Sequence, residues 1–557
     1  MTTRAEQKMA HMAKTDEADM CEVSERWAFG EKGPWTLRLD AIGWLEGLDA
    51  IREEHRREVP RLTRPRRWPP FGRFSEAARR VGGAVLVWRL REGRRGGAVS
   101  RQGLSHRLRK AFERLGSAYI KLGQIITSGR GLFPEELVDE FKHCLDQVPP
   151  DSFENVRRTV EEEIGGSIES VFDYFDPECL AAASIAQVHA ARLKTGEDVV
   201  VKVQRADVDS LVRSDIAAMA WVAPKLVGRI PIAALANPPA LVELFAETVL
   251  EELDFRLEAE NMLDVARVLK KGGQEGLVVP RPHPEWVTRR MLVMERLEGF
   301  SYDDIEGMRT AGIDTQAVLR AMLIGFLEGA MIYGVFHGDL HGGNLFVMKD
   351  GRVALLDYGM TGRLSEKQRS AFLRMMMSGA VSDVRGQLEA FRDLGALDEE
   401  ADLDALMHLL KLDQAPRDPT KMSGEEIAGE IQQILKALMA EGARLPKPLM
   451  LYAKDMLFFD GAVTQLAPDL DILGEFIRIY AYFAQHHAET ITSQIGFDPS
   501  SREVDLSAAK ASLGLAAGEN SITHRELQER RQIVQQKLED QAANRSLSGR
   551  GTARSSD

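Results

Sequence analysis

The sequence predicts an α+β fold, with strands confined to the middle of the chain and helices before and after them. Two runs around a Thr-Gly turn, residues 190–193 and 198–203, are typical of a β-hairpin. Apolar residues recur at helical spacing from Leu104 to Ile126, and residues 364–485 are almost entirely helical in pattern. Strands and helices segregated in this way are typical of α+β proteins.

The composition is that of a folded protein with a sizeable core. The chain has 557 residues, of which 44% are hydrophobic and 28% are charged, with 22 Pro and 47 Gly. These values exclude the collagen-like, disulfide-framework and wholly disordered classes of protein. At roughly 100–200 residues per domain, the length predicts two to four structural units.

Cysteine usage and hydropathy indicate a cytoplasmic protein. Cys21, Cys144 and Cys179 form no CxxC pair and stand beside no histidine cluster, so neither a zinc site nor a disulfide framework is expected. The N-terminus lacks the apolar core of a secretory signal. No run reaches the ~18 uncharged apolar residues of a membrane span. The most apolar stretch, residues 216–236, is interrupted by two charges and a proline.

A strongly basic segment lies near the N-terminus. Residues 51–110 hold 18 Lys and Arg against five Asp and Glu, a local charge of +13 in a chain of net charge −13, so the remainder carries −26. From Arg52 to Arg95, Arg-rich sequence punctuated by Pro and Gly predicts a loop-rich extension.

Three roles are open to this basic segment. A solvated extension is the plainest one. The second is peripheral contact with an anionic membrane, at its inner face, because such lipid attracts clustered cations and interfacial aromatic residues. Nucleic-acid binding is not expected, because the rest of the chain is acidic and no nucleic-acid-binding signature occurs. The aromatic candidates are Trp68, Phe71, Phe74 and Trp88.

The remaining pattern gives an order of elements. Helices are predicted between Pro134 and Pro149, over 240–270 and over 315–335, and a short buried strand over 290–295. Residues 337–359 predict a loop, a strand, an Asp-Gly turn, a second strand and a further loop. The polar tail from Asp498 contains one helix, opened by a capping box of Thr523 and Glu526.

The strongest functional signal is a polar loop, His337-Gly338-Asp339-Leu340-His341-Gly342-Gly343-Asn344, followed by Asp357-Tyr358-Gly359. Asp339 and Asn344 are five residues apart, as in the kinase catalytic loop, and Asp357 lies 13 residues further on, where a DFG-type Asp stands. Phosphoryl transfer needs one carboxylate to orient the attacking hydroxyl, and a second carboxylate with an amide oxygen to hold Mg²⁺. The pattern therefore predicts Asp339 as catalytic, and Asn344 and Asp357 as Mg²⁺ ligands.

A lysine and a glutamate form the second signal. Lys202 lies on the predicted strand 198–203, which resembles the kinase strand whose ammonium binds the α- and β-phosphates of ATP. Glu258, in the helical segment 252–261, is the predicted partner of Lys202. A strand lysine that reaches solvent and a solvated helix glutamate are the plain alternatives.

An alanine-rich segment stands where a glycine-rich phosphate loop is expected. Alanine permits fairly close approach of the backbone but lacks the freedom of glycine at positive φ, so a stiffer loop and an altered nucleotide preference are expected. The residues predicted to close over the phosphates are Ala181, Ala182, Ala183, Ser184, Ile185, Ala186, Gln187 and Val188.

Together these motifs resemble the UbiB/AarF family of atypical kinases. The alanine-rich segment ending at His189 matches that family's loop, and Lys121-Leu122-Gly123-Gln124 matches its Lys-x-Gly-Gln helix. Further matches follow in the family's order between about Ser105 and Asp471: Ser128-Gly129-Arg130, Val148-Pro149-Pro150, Glu252 with Asp254, Glu258 with Asn261, the hinge Met294-Glu295, and Leu466-Ala467-Pro468-Asp469.

The resemblance implies a two-lobed, protein-kinase-like α+β fold with a helical N-terminal extension over the active site and a mostly helical C-lobe. The implied ATP-site residues include Met294 and Glu295. The resemblance also implies a contact between the extension and the nucleotide site, here called the extension contact, which is formed by Lys121, Gly123, Gln124, Glu252 and Asp254. The implied divisions are a variable region 1–103, the Lys-x-Gly-Gln extension 104–179, an N-lobe 180–296, a C-lobe 297–497 and a tail 498–557.

The resemblance also implies Mg²⁺ and ATP or ADP as ligands. Because the extension would obstruct a peptide substrate, family members look like ATPases or small-molecule and lipid-associated kinases, which support isoprenoid quinone biosynthesis and lipid homeostasis. The implied acceptor is water or a small or lipid hydroxyl, and a lipid or prenylated small molecule is an implied partner. The chain departs from the family at Gly342-Gly343, where Pro-Gly is usual, and has no C-terminal apolar span.

Two other classes of function stay open. Small-molecule phosphotransferases of the aminoglycoside/choline-kinase type also carry a loop like residues 337–344, although the Lys-x-Gly-Gln helix favours the UbiB/AarF family. A nucleotide-binding pseudokinase that serves as a scaffold is the non-enzymatic alternative. All the expected metal and phosphate residues are present, which disfavours a loss of activity by loss of residues.

Overall fold

The protein is described from a computed structural model, which divides into two compact units. The first unit comprises Met1–Arg89, Gln102–Asp304 and His341–Thr361, and the second comprises Leu90–Arg101, Ile305–Leu340 and Gly362–Asp557. The structure describes residues 29, 33–64, 66–70, 72–93, 97–128, 135–143, 149–226, 238–410, 412, 418–423, 425–427, 430, 433–434, 446–501, 504–507, 510, 513, 515 and 518–552. Cys21 and Cys144 lie outside these residues.

Six helices precede the first strand in the described part of the chain. They are α1 (Leu48–Leu62), α2 (Arg73–Arg91), α3 (Gly97–Leu115), α4 (Ser117–Ser128), α5 (Glu135–Lys142) and α6 (Phe153–Ile164). The helical pattern predicted from Leu104 to Ile126 is therefore two helices. Gly116, at a φ of 96°, separates them, because glycine adopts this left-handed backbone without steric cost.

The prediction of a loop-rich extension over residues 52–95 is wrong, because α1 and α2 occupy most of it. The guanidinium of Arg73 binds both carboxylate oxygens of Asp215 at 2.9 Å. The ring of Phe74 packs edge-on against Trp221, with 4.7 Å between centroids. Both partners belong to α7 (Val208–Leu226), so these contacts are distant in sequence and leave no mark on the local pattern.

A five-stranded antiparallel sheet forms the centre of the first unit, in the order β1-β2-β3-β6-β5. The predicted hairpin is confirmed, as is the strand predicted over 290–295. Val199, Val201 and Val203 of the third strand are fully buried on one face, in a cluster with Val160 of α6. The strands are β1 (Phe172–Ala182), β2 (Ala186–Leu193), β3 (Asp198–Gln204), β5 (Pro282–Val287) and β6 (Met291–Glu295).

The alanine-rich segment forms a tight turn between two strands, and not the longer loop predicted over 181–188. β1 continues to Ala182 and β2 resumes at Ala186, with the backbone N–H of Ala183 donating to the carbonyl of Ala186 at 2.8 Å. Alanine is compatible with this outcome because it loses less conformational freedom than glycine when it is fixed in a strand. Since β1 begins at Phe172, the helical character predicted for the extension also ends before residue 179.

The long helix predicted over 240–270 is two helices, α8 (Pro238–Glu252) and α9 (Phe255–Lys271). The side chain of Asp254 caps the second helix by accepting a hydrogen bond from the backbone N–H of Arg256 at 3.1 Å. An Asp at this position satisfies an amide that the helix itself cannot pair. The break places the predicted Glu252 and Asp254 at the junction of two helices.

A four-stranded sheet, in the order β4-β10-β9-β7, completes the strands of the first unit. The strand–turn–strand predicted within 337–359 is confirmed, with Gly351 at a φ of 85° in its turn. The parallel pairing of β10 with β4 and the antiparallel pairing of β9 with β7 flank that hairpin. The strands are β4 (Leu277–Val278), β7 (Gly299–Ser301), β9 (Leu345–Met348) and β10 (Val353–Leu355).

The second unit is mostly helical, as the pattern over 364–485 predicts. Its aromatic core joins Phe326, Phe336, Phe372, Tyr452 and Phe459. A short pair of strands, β8 (Val335–His337) and β11 (Thr361–Arg363), lies beside these helices. The described helices are α10 (Ile305–Thr310), α11 (Thr315–Glu328), α12 (Glu366–Ala380), α13 (Val384–Asp393), α14 (Leu403–Leu409), α15 (Lys447–Leu466), α16 (Ile472–His486), α17 (Ala488–Ile495) and α18 (His524–Thr552).

The capping box predicted in the tail is confirmed. The backbone N–H of Thr523 donates to the carboxylate of Glu526 at 2.8 Å, and the N–H of Glu526 donates back to the Thr523 hydroxyl at 3.3 Å. Among the described residues, one helical stretch, Thr315–Tyr333, is long and apolar enough to cross a membrane, with a mean hydropathy of 1.3 and 61% of it buried. The divisions predicted at residues 104, 180, 297 and 498 stay predictions.

Candidate active site

A buried lysine between two carboxylates lies at the centre of the candidate site. The ammonium nitrogen Nζ of Lys202 is 2.6 Å from Oε1 of Glu258 and 3.0 Å from Oδ2 of Asp357. The three residues come from β3, from the first turn of α9 and from the turn after β10. The structure therefore forms the Lys202–Glu258 ion pair that the sequence predicts, and adds Asp357 to it.

The sheet explains the position of this lysine. β3 lies between β2 and β6, and Lys202 is paired in register with Val188 and Leu292. Since successive side chains of a strand point to opposite faces, Lys202 points away from the apolar cluster that buries Val201 and Val203. Its ammonium reaches the face covered by α9, where it also lies 5.5 Å from the ring centre of Phe255.

Burial and charge set the protonation of this group. Burial raises the pKa of Glu258 to about 7, with Lys202 opposing the rise and the carboxylate of Asp357 adding to it. Burial on its own lowers the pKa of Lys202, but the carboxylates of Asp357 and Glu258 outweigh burial and raise it above 10.5. Lys202 therefore stays charged beside its two carboxylate partners.

The Asp357-Tyr358-Gly359 turn is tied to α9 by its backbone. The N–H of Tyr358 donates to Oε1 of Glu258 at 3.4 Å, and the side chain of Asn261 donates to the carbonyl of Tyr358 at 2.8 Å. The N–H of Gly359 donates to Oδ1 of Asp357 at 2.8 Å, which orients the carboxylate. The Glu258 and Asn261 of the family pattern thus hold both the lysine and the turn.

A second buried ion pair joins the N-terminal helices to this turn. Nζ of Lys121, on α4, is 2.7 Å from Oε1 of Glu252 at the end of α8, and both side chains are buried. A Cβ added to Gly359 would lie 3.3 Å from Cγ of Glu252 and 3.1 Å from Oδ1 of Asp357. The Lys121–Glu252 pair therefore borders the turn that carries Asp357.

Of the other residues predicted for the extension contact, two lie beside Lys121 on α4 and one, Asp254, does not. Gln124, half-buried, lies three residues after Lys121 and so on the same face of α4, and Gly123 between them is buried. Asp254 does not join them, because its carboxylate forms an ion pair of 2.6 Å with Arg256 in addition to its capping bond. Asp254 thus holds the start of its own helix.

The alanine-rich turn is held from outside by polar contacts. The guanidinium of Arg205 donates to the carbonyls of Ala183 at 2.9 Å and of Pro149 at 2.8 Å. The side-chain oxygen of Gln187 accepts from the N–H of Asp151 at 2.7 Å. Ser184 and Ile185 are buried in the turn, whereas Ala181, Ala182, Ala186, Gln187 and Val188 lie on the paired strands.

The predicted hinge residues lie at the end of β6. Met294 is buried. The backbone N–H of Glu295 donates a hydrogen bond to the carbonyl of Arg281 at 2.9 Å. The N–H of Arg281 donates in return to the Glu295 carboxylate at 3.2 Å. Burial raises the pKa of Glu295, against the opposing charge of Arg281. The carboxylate of Glu295 is thus engaged by backbone.

The predicted Mg²⁺ ligand Asn344 lies in the first unit, at the end of a 3₁₀ turn, Gly342–Asn344, that leads into β9. It is buried, and its carbonyl accepts from the N–H of Leu356 at 3.0 Å, one residue before Asp357. A Cβ on Gly342 would lie 2.9 Å from the ring of the buried Tyr302, so glycine avoids a close contact at this position.

The donor set fits Mg²⁺. Within the described ranges, no three His, Cys, Asp or Glu side chains come together as a metal cluster. Mg²⁺ suits a site with one carboxylate, from Asp357, and one amide oxygen, from Asn344, because it takes oxygen ligands and keeps waters and phosphate oxygens in its remaining positions.

The predicted catalytic Asp339 lies in the second unit, in the loop after β8. Its N–H donates to Nδ1 of His337 at 3.1 Å, and its carboxylate binds the ammonium of Lys454. The N–H of Leu340 donates to the fully buried Asp455 at 3.0 Å. Burial raises the pKa of Asp455 well above its ordinary value. Neither Lys454 nor Asp455 was predicted as part of the site, because each contacts a loop residue that is 115 positions away in the sequence.

Comparisons with known proteins show which family the chain resembles. The model of the ABC1 atypical kinase-like domain matches residues 143–390. An aarF domain-containing protein kinase of Arabidopsis thaliana, named as chloroplastic, is 33% identical over 391 residues, which cover 66% of this chain and 72% of that protein. A protein named probable protein kinase UbiB from Pseudomonas aeruginosa is 31% identical over 398 residues, covering 71% and 73%. The chain belongs to the UbiB/AarF family of atypical kinases.

Membership of the UbiB/AarF family confirms the predicted kinase-like α+β fold. An uncharacterized protein of Mycobacterium tuberculosis is a further relative, 32% identical over 404 residues. Among solved structures, a Mycobacterium tuberculosis protein in complex with erythromycin aligns at a TM-score of 0.37 and 19% identity, covering 64% of this chain and 93% of that chain. Of the UbiB/AarF motifs in the sequence, Gly129, Arg130 and Val148 lie outside the described residues.

Replacing Lys202 by Met is expected to lower the free energy of unfolding by about 3 kcal/mol, because it removes the cation that pairs with the buried carboxylate of Glu258. The double change Lys202→Met/Glu258→Leu is expected to cost less than the sum of the two single changes, since no buried charge is then orphaned. Urea denaturation followed by circular dichroism measures both. Lys194→Met, at an exposed position of the same hairpin, is the matched control, and equal losses for Lys202→Met and Lys194→Met would contradict the account.

Proposed function

We propose that this UbiB/AarF member is a Mg²⁺- and ATP-dependent atypical kinase or ATPase that supports isoprenoid quinone or lipid metabolism. It transfers the γ-phosphoryl group to water or to a small or lipid hydroxyl, not to a protein. The observation that carries the proposal is the buried Lys202, held between Glu258 and Asp357. A buried lysine held by a helix glutamate, beside a metal-binding aspartate, is the arrangement that phosphoryl transfer needs for charge neutralisation.

Each member of the site has a role in this proposal. Lys202 binds the α- and β-phosphates, and Glu258 keeps the ammonium of Lys202 in place. Asp357 and Asn344 would hold Mg²⁺, which when bound neutralises charge on the phosphates. Asp339 orients the nucleophile, whose oxygen forms the new bond to phosphorus as the bond between phosphorus and the β–γ bridging oxygen breaks. The turn at Ala183–Ile185 closes over the phosphates.

The choice of acceptor rests on α4. The buried Lys121–Glu252 pair borders the Asp357 turn, so α4 lies beside that turn. This position supports the obstruction of a long peptide substrate that the family resemblance implies. Water or a compact hydroxyl requires less room. The same pair favours the UbiB/AarF reaction over an aminoglycoside/choline-kinase-type reaction, since Lys121 belongs to the Lys-x-Gly-Gln helix. The quinone or lipid pathway is supported by family membership alone.

Replacing Asp339 by Asn is expected to lower the rate of phosphate release from Mg-ATP by about 100- to 1,000-fold, because a positioned carboxylate contributes on that order to proton transfer. Phosphate release by the purified chain is the measurement. Asp350→Asn, in the exposed turn between β9 and β10, is the matched control and should keep the wild-type rate. Equal release by wild type and Asp339→Asn would favour the pseudokinase scaffold.

We also propose that the chain contacts anionic membranes through the outer face of α2. Arg79, Leu86 and Leu90 share that face by helical spacing and are exposed, with Leu86 at 58% and Leu90 at 74%. Trp68, just before α2, is 69% exposed. Glu76, the single acidic residue of α2, is bound by Arg73 and Arg80, so no unpaired carboxylate of this helix opposes an anionic surface. Leucine and arginine on one face suit an anionic lipid interface.

The structure corrects the aromatic part of the sequence-based prediction for this contact. Phe74 packs against Trp221 and so turns away from the outer face, and Trp88 is half-buried. Phe71 lies outside the described residues. Trp68 is therefore the aromatic residue that fits the contact, together with the leucines of α2.

In liposome flotation, the wild-type chain is expected to float with vesicles of phosphatidylcholine and phosphatidylglycerol, and to remain in the bottom fraction with phosphatidylcholine alone. The double change Leu86→Glu/Leu90→Glu should abolish flotation, because it places two anions on the docking face. Ile477→Glu, at an exposed position of α16, should leave flotation unchanged. The proposal would be wrong if the amount of protein that floats were the same without anionic lipid, or the same in the Leu86→Glu/Leu90→Glu variant as in wild type.

A further inference from the structure

The loop from His337 to Asn344 is bound by a cation from a helix that is distant in sequence. The loop from His337 to Asn344 contains no Lys or Arg. In the structure the carboxylate of Asp339 forms an ion pair with the ammonium of Lys454, which lies 115 residues later in the chain, on α15. The side chains of Asp339 and Lys454 are 14% and 15% exposed, so solvent and salt screen this pair less than a surface pair.

The next residue of the same helix holds the loop by a different contact. Asp455 is fully buried and accepts a hydrogen bond from the backbone N–H of Leu340 at 3.0 Å. Two consecutive residues of α15 therefore hold two consecutive residues of the loop. Asp455 fixes the backbone, and Lys454 fixes the carboxylate. The loop backbone therefore has an anchor in Asp455 that is separate from the ion pair of Lys454 with Asp339.

We propose that Lys454 is a positioning residue for phosphoryl transfer, whose ammonium fixes the carboxylate of Asp339 and offsets its negative charge while an anionic phosphate is attacked. This inference rests on the proposed function. An unpaired carboxylate beside the transferred phosphoryl group would add like-charge repulsion, whereas a carboxylate paired with a lysine can orient the nucleophile without it.

The reaction balances without a change at Lys454. The nucleophile oxygen bonds to the γ-phosphorus, the bond from that phosphorus to the β–γ bridging oxygen breaks, and the electron pair leaves with ADP. The proton of the nucleophile passes to the carboxylate of Asp339 or to solvent. Lys454 keeps its protons and its charge throughout, so its contribution is electrostatic and geometric.

Lys454→Met tests the inference, because methionine keeps most of the length of the side chain and removes the charge. We expect kcat for phosphate release to fall by about 10- to 100-fold, as for a displaced catalytic group, with KM for ATP within about twofold of wild type. Lys454→Arg should recover part of kcat. The double change Asp339→Asn/Lys454→Met should be no slower than Asp339→Asn alone, since Lys454 acts through that carboxylate.

Arg531→Ala is the matched control, since it removes an exposed ion pair between α18 and Asp460 of the same helix α15 and should leave kcat unchanged. Wild-type kcat in Lys454→Met, or losses that add in the double variant, would overturn the role of Lys454 while leaving the proposed function intact. A wild-type chain that releases no phosphate above the Asp339→Asn background would overturn both. A drop in thermal stability of Lys454→Met with kcat unchanged would show that the pair is only structural.

Discussion

The organisation of the first unit depends on a single buried ammonium. Lys202 is charged and buried on the face of the sheet that α9 covers. Two carboxylates bind it: that of Glu258, on α9, and that of Asp357, on a turn 155 residues away in sequence. An ammonium in such a place requires partners, because an unpaired buried charge costs several kcal/mol. The ion pairs of Lys202 therefore fix α9 and the Asp357 turn against β3, and Glu258 and Asn261 extend the connection to the backbone of Tyr358.

Two further lysines of the described residues bind a carboxylate at or beside a predicted site element. Lys121 binds Glu252 beside the Asp357 turn, and Lys454 binds Asp339 in the second unit. Buried ion pairs contribute little net stability, because desolvation offsets most of their attraction. The buried pairs of Lys202 and Lys121, and the largely buried pair of Lys454, are therefore better explained by positioning than by stability. In the proposed reaction, Lys202 and Lys454 each hold a carboxylate that acts on the nucleotide or the nucleophile, and Lys121 holds a carboxylate beside the Asp357 turn.

Local motifs were predictable from the sequence, whereas contacts between distant segments were not. The hairpin around Gly196, the strand–turn–strand before Asp357 and the capping box at Thr523 depend on neighbouring residues, and the structure confirms them. In the basic segment, α2 is held by the ion pair of Arg73 with Asp215, which are 142 residues apart. A contact so distant in sequence leaves no local signal, so the Pro and Gly residues of the segment led to the prediction of a loop.

The site shows the same division. The pairing of Lys202 with Glu258 could be predicted, because known kinase strands supply the analogy. Two features could not. Lys454 lies 115 residues from Asp339 and belongs to no local motif, and Asp254 turns to its own helix because Arg256 is two residues away.

The central claim is that the Lys202–Glu258–Asp357 group binds Mg-ATP, and titration calorimetry with ATP, with and without Mg²⁺, tests it most directly. The account predicts that wild type binds ATP more tightly with Mg²⁺ than without it. Lys202→Met should weaken ATP binding by at least about tenfold through loss of a charge-assisted contact, and Asp357→Asn should remove the dependence on Mg²⁺. Equal ATP affinity in wild type and Lys202→Met, with no effect of Mg²⁺ on either, would contradict the account.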